Sequence, residues 1–168
     1  MIRALDLLAA HPFLSGMSQE QLAKLSFWAH RSQFHRGTRL FSEGGRADRF
    51  WLIRDGEVTL FASVPGQGDV VIETLGAGAV LGWSWLFPPY RWHFSAAATA
   101  PTLTVELDGP GVLRVCGADP ELGYELTLRF MQVVVERLQA TRARMLEGLH
   151  LEQPACEHAH RTADRRIP

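Results

Sequence analysis

Residues 37–58 read GTRLFSEGGRADRFWLIRDGEV, and this stretch decides the fold that the sequence predicts. Short apolar runs alternate here with glycines, which is typical of strands joined by tight turns. The Asp55-Gly56 pair favours a hairpin turn, because both residue types tolerate the positive φ angles that such a turn requires. The stretch therefore predicts two consecutive antiparallel strands that meet at Gly56.

The same pattern continues on the C-terminal side of this hairpin. Apolar runs at 58–61 and 70–75 are separated by glycines, and residues 96–107 form a further strand pattern that Pro101 interrupts. Turn signals that recur between β-branched and aromatic runs indicate an antiparallel roll or sandwich. We therefore predict an α+β fold with a β-roll over residues 34–118.

A helical segment is predicted on the N-terminal side of the roll. Ser18 and Gln21 have the spacing of a capping box, in which two side chains satisfy free backbone N–H groups of the first turn. Leu22, Leu25 and Ala29 then form an apolar face at helical spacing. Residues 1–33 are therefore predicted to be helical.

A long helix is predicted over residues 119–150, followed by a loose tail over 151–168. Asp119-Pro120-Glu121 is a favourable helix start. Around 28 residues of this helix, at 1.5 Å each, span about 42 Å, which is more than one small roll needs to cover itself. The surplus predicts a homodimer, whose seam is formed by the apolar residues Leu126, Phe130, Val133, Val134 and Leu138. The alternative is a helix that lies wholly against its own roll.

Residues 37–58 resemble the cyclic-nucleotide-binding domain superfamily, which includes the catabolite-activator and FNR-like regulators and the regulatory subunit of protein kinase A. The superfamily pattern has a glycine, two apolar residues, a second glycine, an Ala-Asp pair, an apolar strand and Gly-Glu-Val. All of these are present here in type and spacing, and the resemblance extends from His11 to the end of the predicted long helix. It implies a jelly-roll-like double-stranded β-helix that binds a cyclic nucleotide.

The segment that would hold the nucleotide departs from the superfamily pattern. There the phosphate-binding cassette begins with Phe-Gly-Glu and ends with Arg-Ser-Ala or Arg-Thr-Ala. The arginine holds the phosphate and the glutamate takes the ribose hydroxyl. Residues 81–96, called the cassette below, read LGWSWLFPPYRWHFSA, so Trp83 replaces the glutamate and Phe94 the arginine. The resemblance implies ligand binding at the cassette positions Gly82, Trp83, Ser84, Trp85, Leu86, Arg91, Phe94, Ser95 and Ala96.

The aromatic residues of the cassette have two interpretations. In the first, the rings plug the pocket and complete the core. In the second, they form a stacking surface for a different ligand or a protein partner. Arg91 would restore part of the lost phosphate binding if the cassette bent to bring its guanidinium inward.

Composition and motifs argue against several other classes of protein. The net charge of −1 creates no field that attracts nucleic acid, and no apolar run is long enough to span a membrane. Two distant cysteines make no disulfide framework, which favours a reducing cytoplasm. Nucleophile-elbow, Walker and HExxH patterns are missing, so we expect no enzyme activity. Cys156, His158 and His160 have metal-ligating side chains, but we interpret them as incidental and predict no metal site.

These observations predict a non-enzymatic regulatory or scaffolding protein without a cofactor, acting through a protein partner at the cassette or a non-standard ligand. Only a short tail follows the predicted helix, so we expect no winged helix-turn-helix and no direct DNA binding. One alternative is a genuine cyclic AMP or cyclic GMP sensor with a variant cassette. Another is an accessory subunit of a multi-subunit redox enzyme such as a nickel–iron hydrogenase, because the cassette resembles variants that accompany such enzymes.

Overall fold

A computed structural model describes residues 3–151 of the chain, and the side chains of residues 3–148. The chain divides into two compact units, Met1–Met131 and Gln132–Pro168. Apart from Leu151, the predicted tail and its metal-capable residues Cys156, His158 and His160 lie outside the described residues.

Four α-helices and two short 3-10 helices are described. The α-helices are α1 (Ala4–Ala9), α2 (Gln19–Ser26), α3 (Gly109–Ala118) and α4 (Pro120–Leu151), and the 3-10 helices are Pro12–Leu14 and Ser84–Leu86. The predicted capping box is confirmed at α2, where the Ser18 hydroxyl accepts from Gln21 N–H at 3.2 Å and the Gln21 side chain accepts from Ser18 N–H at 3.0 Å. At the start of α4, the Asp119 carboxylate accepts from the N–H of Leu122 at 3.1 Å.

Eight strands form two four-stranded antiparallel sheets in the first unit. They are β1 (Ala29–Phe34), β2 (Arg39–Phe41), β3 (Arg49–Asp55), β4 (Val58–Val64), β5 (Gly68–Leu75), β6 (Val80–Leu81), β7 (Ser95–Ala98) and β8 (Thr102–Asp108). One sheet has the order β1-β8-β3-β6 and the other β2-β7-β4-β5. The predicted α+β fold with an antiparallel roll and a long C-terminal helix is therefore confirmed. The predicted hairpin at Gly56 is wrong, because β3 pairs with β6 and β8 in one sheet, whereas β4 pairs with β5 and β7 in the other.

The boundaries of the roll differ from the prediction at both ends. Residues 29–33 were expected to be helical, but they belong to β1, which pairs with β8 from Ala29 opposite Leu107 to Phe34 opposite Thr102. Residues 109–118 were expected to belong to the roll, but they form α3. Ala29 continues the apolar helical spacing of Leu22 and Leu25, but the helix α2 ends before it. Pairing with the distant strand β8 determines the conformation of β1.

The core of the first unit consists of two clusters that β3 separates. Phe50 and Leu52 point into a cluster shared with the helices, called the helix-side cluster below, while Trp51 and Ile53 point into the roll cluster. This split follows from the two-residue period of a strand, whose successive side chains lie on opposite faces. Members of the roll cluster are Phe41, Ala47, Trp51, Ile53, Val58, Leu60, Leu75, Leu81, Trp92 and Ala96.

Two of the predicted seam residues are buried within the first unit. Leu126 and Phe130 belong to the helix-side cluster and are 1% and 2% exposed. They therefore cannot form an exposed seam, because their helical periodicity arises from contacts with the chain's own core. The apolar residues that α4 exposes within this unit are Tyr124, Leu128 and Met131.

The second unit contains the described remainder of α4. Here Val133 and Val134 are half-buried, whereas Leu138 is 67% exposed together with Val135, Met145 and Leu146. An exposed apolar side of a helix is consistent with a partner, and dimerisation remains a prediction. Within residues 3–151, no helix combines the length and apolar character that crossing a bilayer requires.

Candidate functional site

The cassette begins at the end of β6 and ends in β7. Gly82 follows β6 with φ +91°, and a Cβ there would lie 3.0 Å from the Trp92 ring. A single 3-10 turn, Ser84–Leu86, comes next, and Trp83 precedes it without a side-chain capping bond. The helical part of the cassette is therefore three residues long.

Trp92 fills space inside the roll. Its ring is 5% exposed, stacks on Phe41 with centroids 3.9 Å apart, and lies 6.0 Å from the ring of Trp51. Its backbone accepts from Gly44 N–H at 2.8 Å and donates to the Gly45 carbonyl at 3.0 Å. Trp92 was not among the predicted site residues, although the nearby glycines at 44, 45 and 82 are a sequence signal for a large ring packed close to the backbone.

The two residues that replace the expected polar contacts lie close to each other. Phe94 packs against the roll cluster, and its ring meets that of Trp83 edge to face with centroids 6.2 Å apart. Ser95 is buried, and its hydroxyl accepts from the N–H of Glu43 at 3.0 Å. Ala96 is fully buried. The structure thus brings Trp83 and Phe94 into contact, while Gly82 lies beside Trp92 and Ser95 and Ala96 begin β7.

The remaining predicted site residues lie elsewhere. Trp85 belongs to the helix-side cluster and stacks on Phe50 with centroids 4.6 Å apart, and Leu86 packs against the same cluster. Ser84 is buried with its hydroxyl 3.2 Å from Nδ1 of His93. Arg91 is exposed and its Nη1 donates to the Gly44 carbonyl at 3.0 Å. The structure therefore holds Arg91 on the loop beside the roll and does not show the inward bend.

Charged groups near the roll are paired with one another. Glu106 accepts from Trp51 Nε1 at 2.9 Å and from Arg49 Nη1 at 2.8 Å. Arg49 also donates to Asp48 at 3.0 Å, and this hydrogen bond raises the pKa of Arg49. These contacts leave the Arg49 guanidinium engaged with two carboxylates.

Neither a metal centre nor an activated thiol is found in the described part of the chain. Residues 3–148 contain no group of three histidine, cysteine or acidic side chains that could hold a metal ion. Cys116 is half-buried, and its burial raises the pKa of the thiol. A raised thiol pKa disfavours the nucleophilic thiolate at neutral pH.

Two antiparallel four-stranded sheets, a cassette between β6 and β7, and a long C-terminal helix define a β-roll of the cyclic-nucleotide-binding type. The family model for the cyclic nucleotide-binding domain matches residues 31–119, which is more than half of the chain. The chain therefore belongs to the cyclic nucleotide-binding domain family.

Known relatives agree with this assignment. A CRP-like cAMP-activated global transcriptional regulator from Mycobacterium tuberculosis is 22% identical over 149 residues, covering 89% of this chain and 65% of the relative's length. A Geobacter metallireducens GS-15 structure named for cyclic nucleotide binding has a TM-score of 0.72 and 28% identity, covering 82% of this chain and 99% of that one. The regulatory domain of Toxoplasma gondii protein kinase A with cAMP has a TM-score of 0.64 and 18% identity, with coverages of 78% and 48%, and supports the fold alone.

Proposed function

We propose that this chain is a non-enzymatic regulatory domain that acts through a protein partner and does not depend on a cyclic nucleotide inside its roll. The observation that carries the proposal is the Trp92 ring, which is stacked on Phe41 within the roll cluster. The interpretation that the aromatic residues plug the pocket is thereby favoured over an open pocket.

The missing polar contacts support the same conclusion. A hydrogen bond to a charged group contributes about 1.5–3 kcal/mol, and a micromolar ligand binds with about −8 kcal/mol. Phe94 and Trp83 offer no cation and no carboxylate to a cyclic nucleotide, so losing both contacts weakens such a ligand to roughly millimolar affinity. Arg91, held on the Gly44 carbonyl at 3.0 Å, would first have to give up that hydrogen bond.

The proposed partner surface is the turn at the tip of the cassette. Phe87 and Tyr90 flank Pro88-Pro89 and are 47% and 41% exposed. Aromatic side chains on a turn rich in proline offer large contact area at a low cost in conformational entropy, as in the centres of many protein interfaces. The genuine-sensor and redox-accessory alternatives remain predictions, since no particular contact favours either of them.

Calorimetric titration with cyclic AMP and cyclic GMP tests the first part of the proposal. We expect no binding tighter than about 100 μM, because both charged contacts are replaced. Micromolar binding of either nucleotide would overturn the proposal. In that case Arg91→Ala should abolish the binding if the variant cassette is a sensor site.

Affinity capture from the source cells tests the second part. A specific partner should be retained by the unmodified chain and lost with the double variant Phe87→Ser/Tyr90→Ser. Phe27→Ser is the matched control, because Phe27 is also aromatic, is 85% exposed and lies outside the cassette. Equal capture by all three proteins would rule out the cassette turn as the partner surface.

A further inference from the structure

A cavity lies between the cassette and α3, and it shares Tyr90 with the proposed partner surface. Its volume is about 480 Å³, which lies in the range of small-molecule sites. Apolar and aromatic side chains form most of its wall, together with a few charged groups. The lining residues used below are Arg46, Asp48, Trp85, Tyr90, Arg91 and Leu113.

The charged groups of this cavity favour an anion. Arg46 and Arg91 are partners in an isolated antiparallel bridge, so their side chains leave the backbone next to each other on one side of it. Asp48 is the acidic lining residue, and its carboxylate is 3.0 Å from Nε of Arg49, which does not line the cavity. Nε of Arg46 is farther from that carboxylate, at 3.9 Å. Pairing of Asp48 with Arg49 leaves a positive excess at the cavity.

Trp85, one of the wall residues, has a buried donor without an acceptor. Trp85 is 1% exposed, and within the described residues its indole Nε1–H has no hydrogen-bond partner. Because Nε1 itself is inaccessible, this donor is not exposed to the cavity, and Trp85 contributes other atoms to the wall. Trp85 is held firmly by stacking on Phe50 and by edge contact with Phe130.

We infer that this cavity binds a small amphipathic carboxylate with an aromatic or branched apolar body. The apolar body packs against Leu113 and Tyr90. The carboxylate lies between the guanidinium groups of Arg46 and Arg91, which bind planar carboxylates through paired N–H donors. The site is separate from the inside of the roll, so the inference does not depend on whether Trp92 excludes nucleotides.

Calorimetry with 2-naphthoate as the probe and 2-naphthamide as its neutral isostere tests the inference. We expect 2-naphthoate to bind with a Kd below about 1 mM and 2-naphthamide to bind about tenfold more weakly. Arg46→Gln and Arg91→Gln should each weaken 2-naphthoate binding severalfold. Arg31→Gln, at an exposed arginine of β1 outside the cavity, should leave the binding unchanged.

The five tryptophan indole N–H signals in a nitrogen-15 NMR spectrum provide a second readout. Saturation with 2-naphthoate should shift the Trp85 signal, assigned with Trp85→Phe, more than the other four. The inference is overturned by absence of binding up to about 5 mM, by equal affinity for 2-naphthamide, or by unchanged affinity in both arginine variants. Cyclic nucleotide titration of the unmodified chain does not involve this cavity. Partner capture with Phe87→Ser alone changes the cassette turn without changing a lining residue, so failure of the proposed function is distinguishable from failure of this inference.

Discussion

Replacing Trp92 by alanine tests whether this ring completes the core of the roll. Trp92 is 5% exposed, and its ring contacts Phe41 at a centroid distance of 3.9 Å. Truncating a buried tryptophan to alanine costs about 3–5 kcal/mol of unfolding free energy. The backbone hydrogen bonds from Trp92 to Gly44 and Gly45 remain available to alanine, so the loss measures the ring itself.

Gly82 provides an internal check on the same packing. A Cβ at Gly82 would lie 3.0 Å from Cη2 and Cζ3 of Trp92, and its φ of +91° is unfavourable for alanine. Strain of this kind costs about 1–3 kcal/mol, and overpacking adds about 1–3 kcal/mol. In the Trp92→Ala background only the backbone strain remains. The unfolding free energy lost on Gly82→Ala should therefore be smaller in the Trp92→Ala background than in the unmodified chain. The difference should be about 1 kcal/mol or more.

Urea unfolding followed by far-ultraviolet circular dichroism measures all four proteins of this cycle without using tryptophan as the probe. Phe27→Ala is the control, since Phe27 is 85% exposed and its truncation should change stability by less than about 0.5 kcal/mol. A loss below about 1 kcal/mol for Trp92→Ala would refute the plugged roll. Equal costs of Gly82→Ala in both backgrounds would refute the contact between the two residues.

Two further predictions concern pH dependence and assembly. Burial lowers the pKa of His11, whose Nε2 lies 3.0 Å from the Ile53 carbonyl, so the unfolded chain binds protons more tightly. The unfolding free energy should therefore fall as pH drops below 6.5. In urea titrations, His11→Gln should flatten this pH dependence, whereas His35→Gln, at an exposed histidine, is the control and should not. Leu138→Asp should convert a dimer into a monomer by light scattering, while the neighbouring Gln139→Asp should not. A monomeric unmodified chain would contradict the predicted homodimer.

The centre of the roll was predictable because its determinants are local. Gly56 has φ +90°, and a Cβ there would lie 2.3 Å from the Pro101 carbonyl oxygen, so both the turn and the close strand approach require glycine. The adjoining strand β3 alternates between two buried faces, and its apolar run Phe50–Ile53 is visible in the sequence. Turn chemistry and residue type therefore predict the two strands and the turn at Gly56. They do not show that β3 and β4 join different sheets, which is why the predicted hairpin is wrong.

The ends of the roll were not predictable from local pattern. Gly109-Pro110-Gly111 has low helix propensity, but the Asp108 carboxylate accepts from Gly111 N–H at 2.7 Å and α3 begins there. A Cβ at Gly111 would lie 2.1 Å from the Trp28 ring, so this glycine serves a tertiary contact and not a turn. Such a contact between distant parts of the chain leaves no periodic signal in the sequence.

The predicted dimer seam shows a second limit of periodicity. Leu126 and Phe130 recur at helical spacing because α4 buries them in the helix-side cluster, not because a partner needs them. A hydrophobic stripe identifies a buried face without identifying what covers it. The same limit applies to the cassette. The sequence shows that Phe94 stands in place of the arginine, but it does not show which aromatic ring packs inside the roll, and the structure places Trp92 there.

The bridge between Arg46 and Arg91 connects the proposed partner surface to the proposed carboxylate cavity. Ala47 N–H donates to the Tyr90 carbonyl at 2.8 Å, and the Gly44 and Gly45 backbone pairs with Trp92. The tip of the cassette is thus fixed on the loop before β3, and a carboxylate held by both arginines would contact each side of that connection. Because Tyr90 contributes both to the partner surface and to the cavity wall, ligand and partner would compete for, or jointly order, the same side chain. By linkage, partner affinity should then change with 2-naphthoate concentration, and Arg31→Gln should preserve that change while Arg46→Gln reduces it.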